Sequence, residues 1–310
     1  MKKILSIFIL LICLPLMACG KQAINGDDDI PIKVYRETID VPEITSEHRI
    51  FFLADSHITL CDQRDNELLE KEATRSMLFS EGGIYAHDRF SSLIDKAIDS
   101  KSEMVILGGD IIDSAMYASI EFVEQKLDCL DSPYLLLMGN HDFEYGEEYF
   151  SEKAYNEYLP RLDKLRSDKP YQVTEYDDLI YFAADDNNNQ IDQLIVDAFK
   201  SEVAKGKPIV LAIHVPIEPV TGDMSLIETC KEVWGETDDG RSRVTMGING
   251  CIPSPSTQEF IDMVLSDDSP VVLVLAGHVH FYHKDMLNDK VVQIVTGAAF
   301  EGAAVDITLK

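Results

Sequence analysis

Seven side chains scattered along this sequence share one chemical property. Asp55, His57, Asp110, Asn140, His214, His278 and His280 are oxygen or imidazole donors, and no thiolate is among them. Such a set suits divalent ions such as Mn, Fe or Zn and does not suit a cysteine-built structural site. The spacings agree. In an extended chain residues i and i+2 face the same way, so Asp55 with His57, and His278 with His280, each present two ligands together. Seven ligands are too many for one ion and about right for two. Two ions roughly 3.5–4 Å apart can share a carboxylate, lower the pKa of a bridging water and clamp a phosphoryl group for in-line attack. Phosphate-ester hydrolysis is among the slowest uncatalysed reactions, so it gains most from such help.

Each donor follows an apolar run of strand length. RIFFLADSH ends on Asp55 and His57, MVILGGDIID on Asp110 and Asp113, and YLLLMGNHD on Asn140, His141 and Asp142. IVLAIHVP carries His214, and VVLVLAGHVH ends on His278 and His280. Runs this rich in Val, Ile, Leu and Phe are expected of strands covered on both faces. Helix-like stretches lie between them: SSLIDKAID, MYASIEFVEQKLDCL and IDQLIVDAFKSEVAK. The alternation predicts an α/β fold with a largely parallel sheet. In such sheets ligands bind beyond the carboxyl ends of the strands, so the five polar clusters should meet at one place. The glycines at 108, 109, 139 and 277 are expected to let the backbone turn sharply before each ligand.

Taken in order, Asp55-x-His57, Gly109-Asp110-x-x-Asp113, Gly139-Asn140-His141-Asp142, the isolated His214 and Gly277-His278-x-His280 resemble the calcineurin-like metallophosphoesterase superfamily. The match runs from about residue 48 to the C-terminus. The resemblance implies a four-layer αββα sandwich of two mixed β-sheets. It implies one metal held by Asp55, His57, Asp110 and His280, and a second held by Asp110, Asn140, His214 and His278, with Asp110 bridging. A metal-bridging hydroxide would then attack a small mono- or diester. His141 would protonate the leaving-group oxygen, with Asp113 orienting its ring. Asp142 stands where many members carry Glu. The competing class is a tethered metal-containing binding protein without turnover; the presence of both His141 and Asp113 speaks for turnover. His48, His87 and His283 are expected outside the site, although His87 lies in a long stretch, 59–89, that can reach over it.

The termini and composition bound the rest. Lys2 and Lys3, the apolar ILSIFILLICLP and the following LMAC read as a secretory signal over residues 1–18. Leu16-Met17-Ala18-Cys19 resembles a bacterial lipobox, which makes Cys19 a lipidated N-terminus, residues 19–47 a membrane tether and 48–310 the catalytic domain. The expected location is the extracytoplasmic face of a cell membrane. A net charge of −28 argues against nucleic acid as a partner, because phosphate binding rests on Lys and Arg. Cys61, Cys129, Cys230 and Cys251 allow three pairings in an exported protein. Cys230 with Cys251 is the favoured one, and Cys129 reads as a buried thiol on a helix face. Residues 217–255 read as a partly ordered flap beside the metals, with a distant surface excursion as the alternative.

Overall fold

The computed structural model describes residues 30–143, 158–186 and 189–310. The signal segment, Cys19 and the first part of the tether lie outside the described residues. Apolar runs need cover on both faces, and the chain supplies it in four layers. One sheet contains β1 (Lys33–Ile39), β2 (His48–Leu53), β3 (Met104–Gly108), β4 (Tyr134–Leu137) and β11 (Ala303–Leu309), in the order β1-β11-β2-β3-β4. The other contains β5 (Tyr171–Glu175), β6 (Ile180–Ala184), β7 (Ile209–Ala212), β8 (Val271–Ala276), β9 (His283–Met286) and β10 (Val292–Val295), in the order β5-β6-β7-β8-β10-β9. Both are mixed. β2, β3 and β4 run parallel, with β11 antiparallel to β2. β6, β7, β8 and β10 run parallel between the antiparallel edges β5 and β9.

The two-residue period of each strand divides the core. In β2, Ile50 and Phe52 point between the sheets, where they join Leu135, Leu137, Tyr181, Val210, Leu273 and Ile294. Phe51 and Leu53 point the other way. There they meet Phe90 and Leu93 of α2 (Ala86–Ser100) and Val123 of α3 (Tyr117–Leu127). On the opposite outer face Phe182, Leu211 and Val274 pack against α4 (Gln193–Val203) and α6 (Pro255–Leu265) through Phe199 and Phe260. This is the αββα sandwich. Each fully buried side chain of this size contributes about 1.5–3 kcal/mol relative to exposure. Two further helices, α1 (Leu69–Leu78) and α5 (Ser225–Trp234), stand at the strand ends that carry the ligand loops.

The sandwich also takes in residues that precede position 48. β1 lies within the expected tether, yet it pairs with β11 in unbroken register from Lys33–Ala303 to Ile39–Leu309. As an edge strand it buries only Ile39, so KVYRETI carries no apolar run to betray it.

His48, at the start of β2, ties the two sheets together at the end away from the ligand loops. Its Nδ1 lies 2.5 Å from Glu103 Oε1 and its Nε2 2.9 Å from Asp178 Oδ1. Asp178 lies in the turn between β5 and β6 and also accepts from the backbone N–H of Thr45 and Ser46. Burial disfavours the charged ring, but the two carboxylates outweigh it and raise the His48 pKa above its usual value. A raised folded pKa means the clasp stabilises fully below the unfolded value of about 6.5 and fades as pH rises through the folded one. We expect a thermal midpoint that falls across that window and a flatter profile in His48→Gln. An unchanged slope in the variant would assign the pH dependence to another group.

Candidate metal centre

The loops that leave β2, β3, β4, β7 and β8 converge, and all seven donors come with them. Asp55, His57 and His280 have ligand atoms within 4.8 Å of one another, as do Asp110, His214 and His278. Asp110 stands between the groups: its Oδ2 lies 3.1 Å from His214 Nε2 and 3.9 Å from His57 Nε2. Asn140 Oδ1 lies 3.1 Å from His214 Nε2. His57 Nε2 and His280 Nε2 are 3.1 Å apart, and His278 Nδ1 is 3.2 Å from His214 Nε2. His141 and Asp113 join them, with Nδ1 and Oδ1 at 2.7 Å. His87 pairs with Asp88 and stacks on Tyr85, and His283 faces Asp285, so with His48 these three stay outside, as expected.

The backbone stores strain here. Among the described residues eight non-glycine positions have positive φ, and five are donors: Asp55, His57, Asp110, His278 and His280, at 46° to 71°. Such conformations cost on the order of 1 kcal/mol each and persist where surroundings impose them. The glycines therefore do something other than expected. Only Gly109 among the four turns through a positive φ, at 88°. The others leave room: a Cβ on Gly139 would lie 2.5 Å from Asp110 Oδ1, and one on Gly277 would lie 2.6 Å from Asp55 Oδ2. A Cβ on Gly108 would strike the Phe52 ring at 2.6 Å. The ligands turn, and the glycines let them pack.

Buried acceptors hold the loops in place. Asp142 takes backbone N–H groups from Asp110, Ile111, Ile112 and Gly139 at 2.7–3.0 Å, locking the second motif to the third. Asp186 takes the N–H groups of His214 and Val215. The His214 ring donates from Nδ1 to Gly108 O at 2.8 Å, which turns Nε2 toward the other donors. His278 N donates to Asp55 at 2.9 Å.

The donor set fits divalent cations. Burial, together with the Asp110 charge, pushes Asp55 up to about 7. Burial opposes a proton on His214, but Asp110, Asp55 and Asp186 still drive it up to about 10. Both shifts describe carboxylates short of positive charge. Burial and the neighbouring His214 take His278 down to about 3, so its imidazole is neutral and able to donate a lone pair. Imidazole nitrogens 3.1 Å apart are satisfied together by a cation between them.

A calcineurin-like phosphoesterase family model matches residues 48–282. The chain belongs to that family. It is a metal-dependent phosphoester hydrolase whose cofactors are two divalent ions. Solved structures similar to this phosphoesterase include a dimetal phosphatase from Danio rerio, at 12% identity over 83% of this chain and 91% of that one, with a TM-score of 0.47. A purple acid phosphatase from yellow lupin matches at 13% identity over 85% of this chain and 46% of that one, with a TM-score of 0.48. A 5'-nucleotidase from Candida albicans matches at 11% identity over 88% and 47%, with a TM-score of 0.40. The phosphoesterase thus spans less than half of the lupin and Candida chains. No curated protein matches it.

Several residues at this centre escape a reading of the sequence. Arg75, on α1, donates to both oxygens of Asp113, from Nε at 2.6 Å and from Nη2 at 2.8 Å. Phe79 follows α1 and stacks on His57 at 4.1 Å. So stretch 59–89 does reach the site, through Arg75 and Phe79 rather than His87. Asp185 and Asp186 end IYFAADD, a sixth apolar run closing on acids, and that was the available signal. The 217–255 segment approaches through Trp234, whose ring lies 5.1 Å from His280. No disulfide staples it: Cys230 and Cys251 are free thiols. The segment folds instead on the buried Glu218 carboxylate, which accepts from Thr245 Oγ1 and Asn249 N. Cys129 also differs from expectation, being half-buried just past α3 and not among the free thiols.

Asp113 serves more groups than one. Its Oδ1 receives His57 Nδ1 at 3.3 Å as well as His141 Nδ1, and Arg75 grips both oxygens. Burial raises its pKa, but these three partners hold it well below the usual carboxylate range. Asn in its place offers one acceptor where the arginine fork needs two. Asp113→Asn should therefore lower the stability of the metal-free chain by about 1.5–3 kcal/mol in denaturant unfolding. It should also lower metal content, because the His57 ring loses its anchor. Full metal content would confine the role of Asp113 to His141.

Proposed function

We propose that the phosphoesterase works with a dinuclear centre. Asp55, His57, Asp110 and His280 hold one ion, and Asp110, Asn140, His214 and His278 hold the other. The supporting observation is the position of Asp110 Oδ2, within 4 Å of an imidazole from each donor group. Two bound divalent ions would supply Lewis acidity toward the phosphoryl oxygens and a water of lowered pKa.

The remaining chemistry falls to the chain. His141 N donates to Asp110 Oδ1 at 2.6 Å, which holds the shared carboxylate in place. The same residue donates from ring Nδ1 to Asp113, so Nε2 is the nitrogen that gives a proton to the departing oxygen. One loop therefore positions both the bridge and the acid. The substrate is a small phosphoester, mono- or diester. A binding protein without turnover has no use for a histidine held in this way.

A positioned general acid is worth about 10²–10⁴ in rate, and most for a poor leaving group. His141→Ala should lower hydrolysis of an alkyl phosphate by such a factor while sparing much of the p-nitrophenyl phosphate activity. Metal analysis should still find close to two ions per chain. Equal losses on both esters with metals intact would remove His141 from the acid role.

We also propose that Cys19 is the mature, lipidated N-terminus and that the enzyme works on the outer face of a membrane. The support is the charged start, the apolar run and the LMAC sequence. Cys19→Ala should leave uncleaved precursor or release the enzyme into the soluble fraction. Unchanged membrane fractionation, with processing elsewhere, would indicate another mode of attachment.

A further inference from the structure

We propose that Trp234 is a specificity-determining residue, and that it selects phosphoesters whose leaving group carries an aromatic ring. The inference rests on the hydrolase reading above and adds the nature of the leaving group. Trp234 is the last residue of α5, and Gly235, at φ 81°, ends the helix behind it. Its Nε1–H donates to Val279 O at 2.9 Å, the residue between His278 and His280. An indole N–H lies in the ring plane, so this bond pins the edge of the ring to the ligand loop. The ring stands at 86° to His280 with centroids 5.1 Å apart, a favourable edge-to-face contact. The indole is thus fixed at Nε1 to the ligand loop and by a perpendicular ring contact to His280.

The ring is not spent on the core. Trp234 is 40% exposed and belongs to none of the buried apolar clusters. Val233 beside it is exposed too. The other aromatic rings near the imidazoles are placed differently. Phe79 stacks on His57, Phe300 meets His57 and His280 edge-on, and both are buried. They back the donors, whereas Trp234 stands open beside them.

The proton donor lies along the same row of rings. His57 lies 4.7 Å from His141 and 5.1 Å from His280, centroid to centroid. The proton donor and the indole thus flank the same pair of imidazoles. An ester oxygen served by His141 can carry its organic part across that pair toward Trp234. A flat ring stacked there would bind about tenfold more tightly than an aliphatic chain of the same length. A simple aryl group and a nucleobase share this chemistry.

Trp234 is the single tryptophan of the chain, so its emission reports on the contact directly. The metal-loaded full chain is titrated with phenylphosphonate and with methylphosphonate, neither of which can be hydrolysed. Phenylphosphonate should change the emission saturably, and methylphosphonate should inhibit hydrolysis without doing so. In kinetics, Trp234→Ala should raise KM for phenyl phosphate about tenfold with kcat within about twofold. It should leave kcat/KM for ethyl phosphate within about twofold, and Trp234→Phe should keep most of the aryl preference. Adenosine 5'-phosphate supplies the second arm: a loss confined to it names a nucleobase, and a loss confined to phenyl phosphate names a simple aryl group. Equal losses on aryl and ethyl esters would overturn the proposal. So would an unchanged emission at phenylphosphonate concentrations that inhibit. A chain that hydrolyses no ester but still responds to phenylphosphonate would keep the aromatic subsite and sink the hydrolase reading.

Discussion

Several carboxylates held together out of water are the constraint on which this structure depends. Asp55, Asp110, Asp142 and Asp186 are all buried and lie around one small volume. Like charges in such a place raise one another's pKa, and isolation from water adds to the effect. Asp142 is pushed up to about 7 by burial and by Asp110, although the backbone N–H groups it accepts pull the other way. The chain answers with directed dipoles and one cation: Asp142 and Asp186 bind backbone N–H groups, and the nearby Asp113 pairs with Arg75. Asp55 and Asp110 also have N–H partners, from His278 and His141, but remain beside imidazoles with lone pairs to share. That residual demand is what two divalent ions would meet.

The same constraint explains the backbone. Donors can converge within 5 Å only if their loops nearly touch, and Gly139 and Gly277 sit where any side chain would collide with a carboxylate. The convergence also forces five donors into left-handed conformations that their residue types disfavour. A sandwich with two thick apolar faces is rigid enough to hold such strain, because moving one strand end would disturb both layers packed against it. Fold and site are therefore one problem, solved from the strands outward.

How far this was legible in the sequence follows from the same physics. Strands buried on both faces have to be apolar, and donors have to follow them, so the seven donors and the α/β character could be read directly. The two-sheet division came from the family resemblance, since an apolar run does not say which sheet it joins. Edge strands bury little, and β1 therefore read as part of the tether. Supporting residues were harder still. Arg75 acts on Asp113 from an amphipathic helix, where a lone arginine resembles any surface cation until the partner is known. Cys230 and Cys251 bracket one segment but stay unpaired, because nearness in sequence does not bring side chains together in space.

The two long connections divide the remaining work by chemistry. Segment 59–89 delivers polar support through Arg75 and an apolar backing through Phe79, and both are buried against residues that the reaction needs. Segment 217–255 delivers a partly exposed ring, fixed by a hydrogen bond to the ligand loop and by its contact with His280. A change in the first therefore propagates into the donors themselves, through Asp113 and His57. A change at Trp234 acts at the rim of the site, through the Val279 carbonyl and the His280 ring. The reaction is consequently set where packing is dense, and the choice of substrate is left to the place where packing stops.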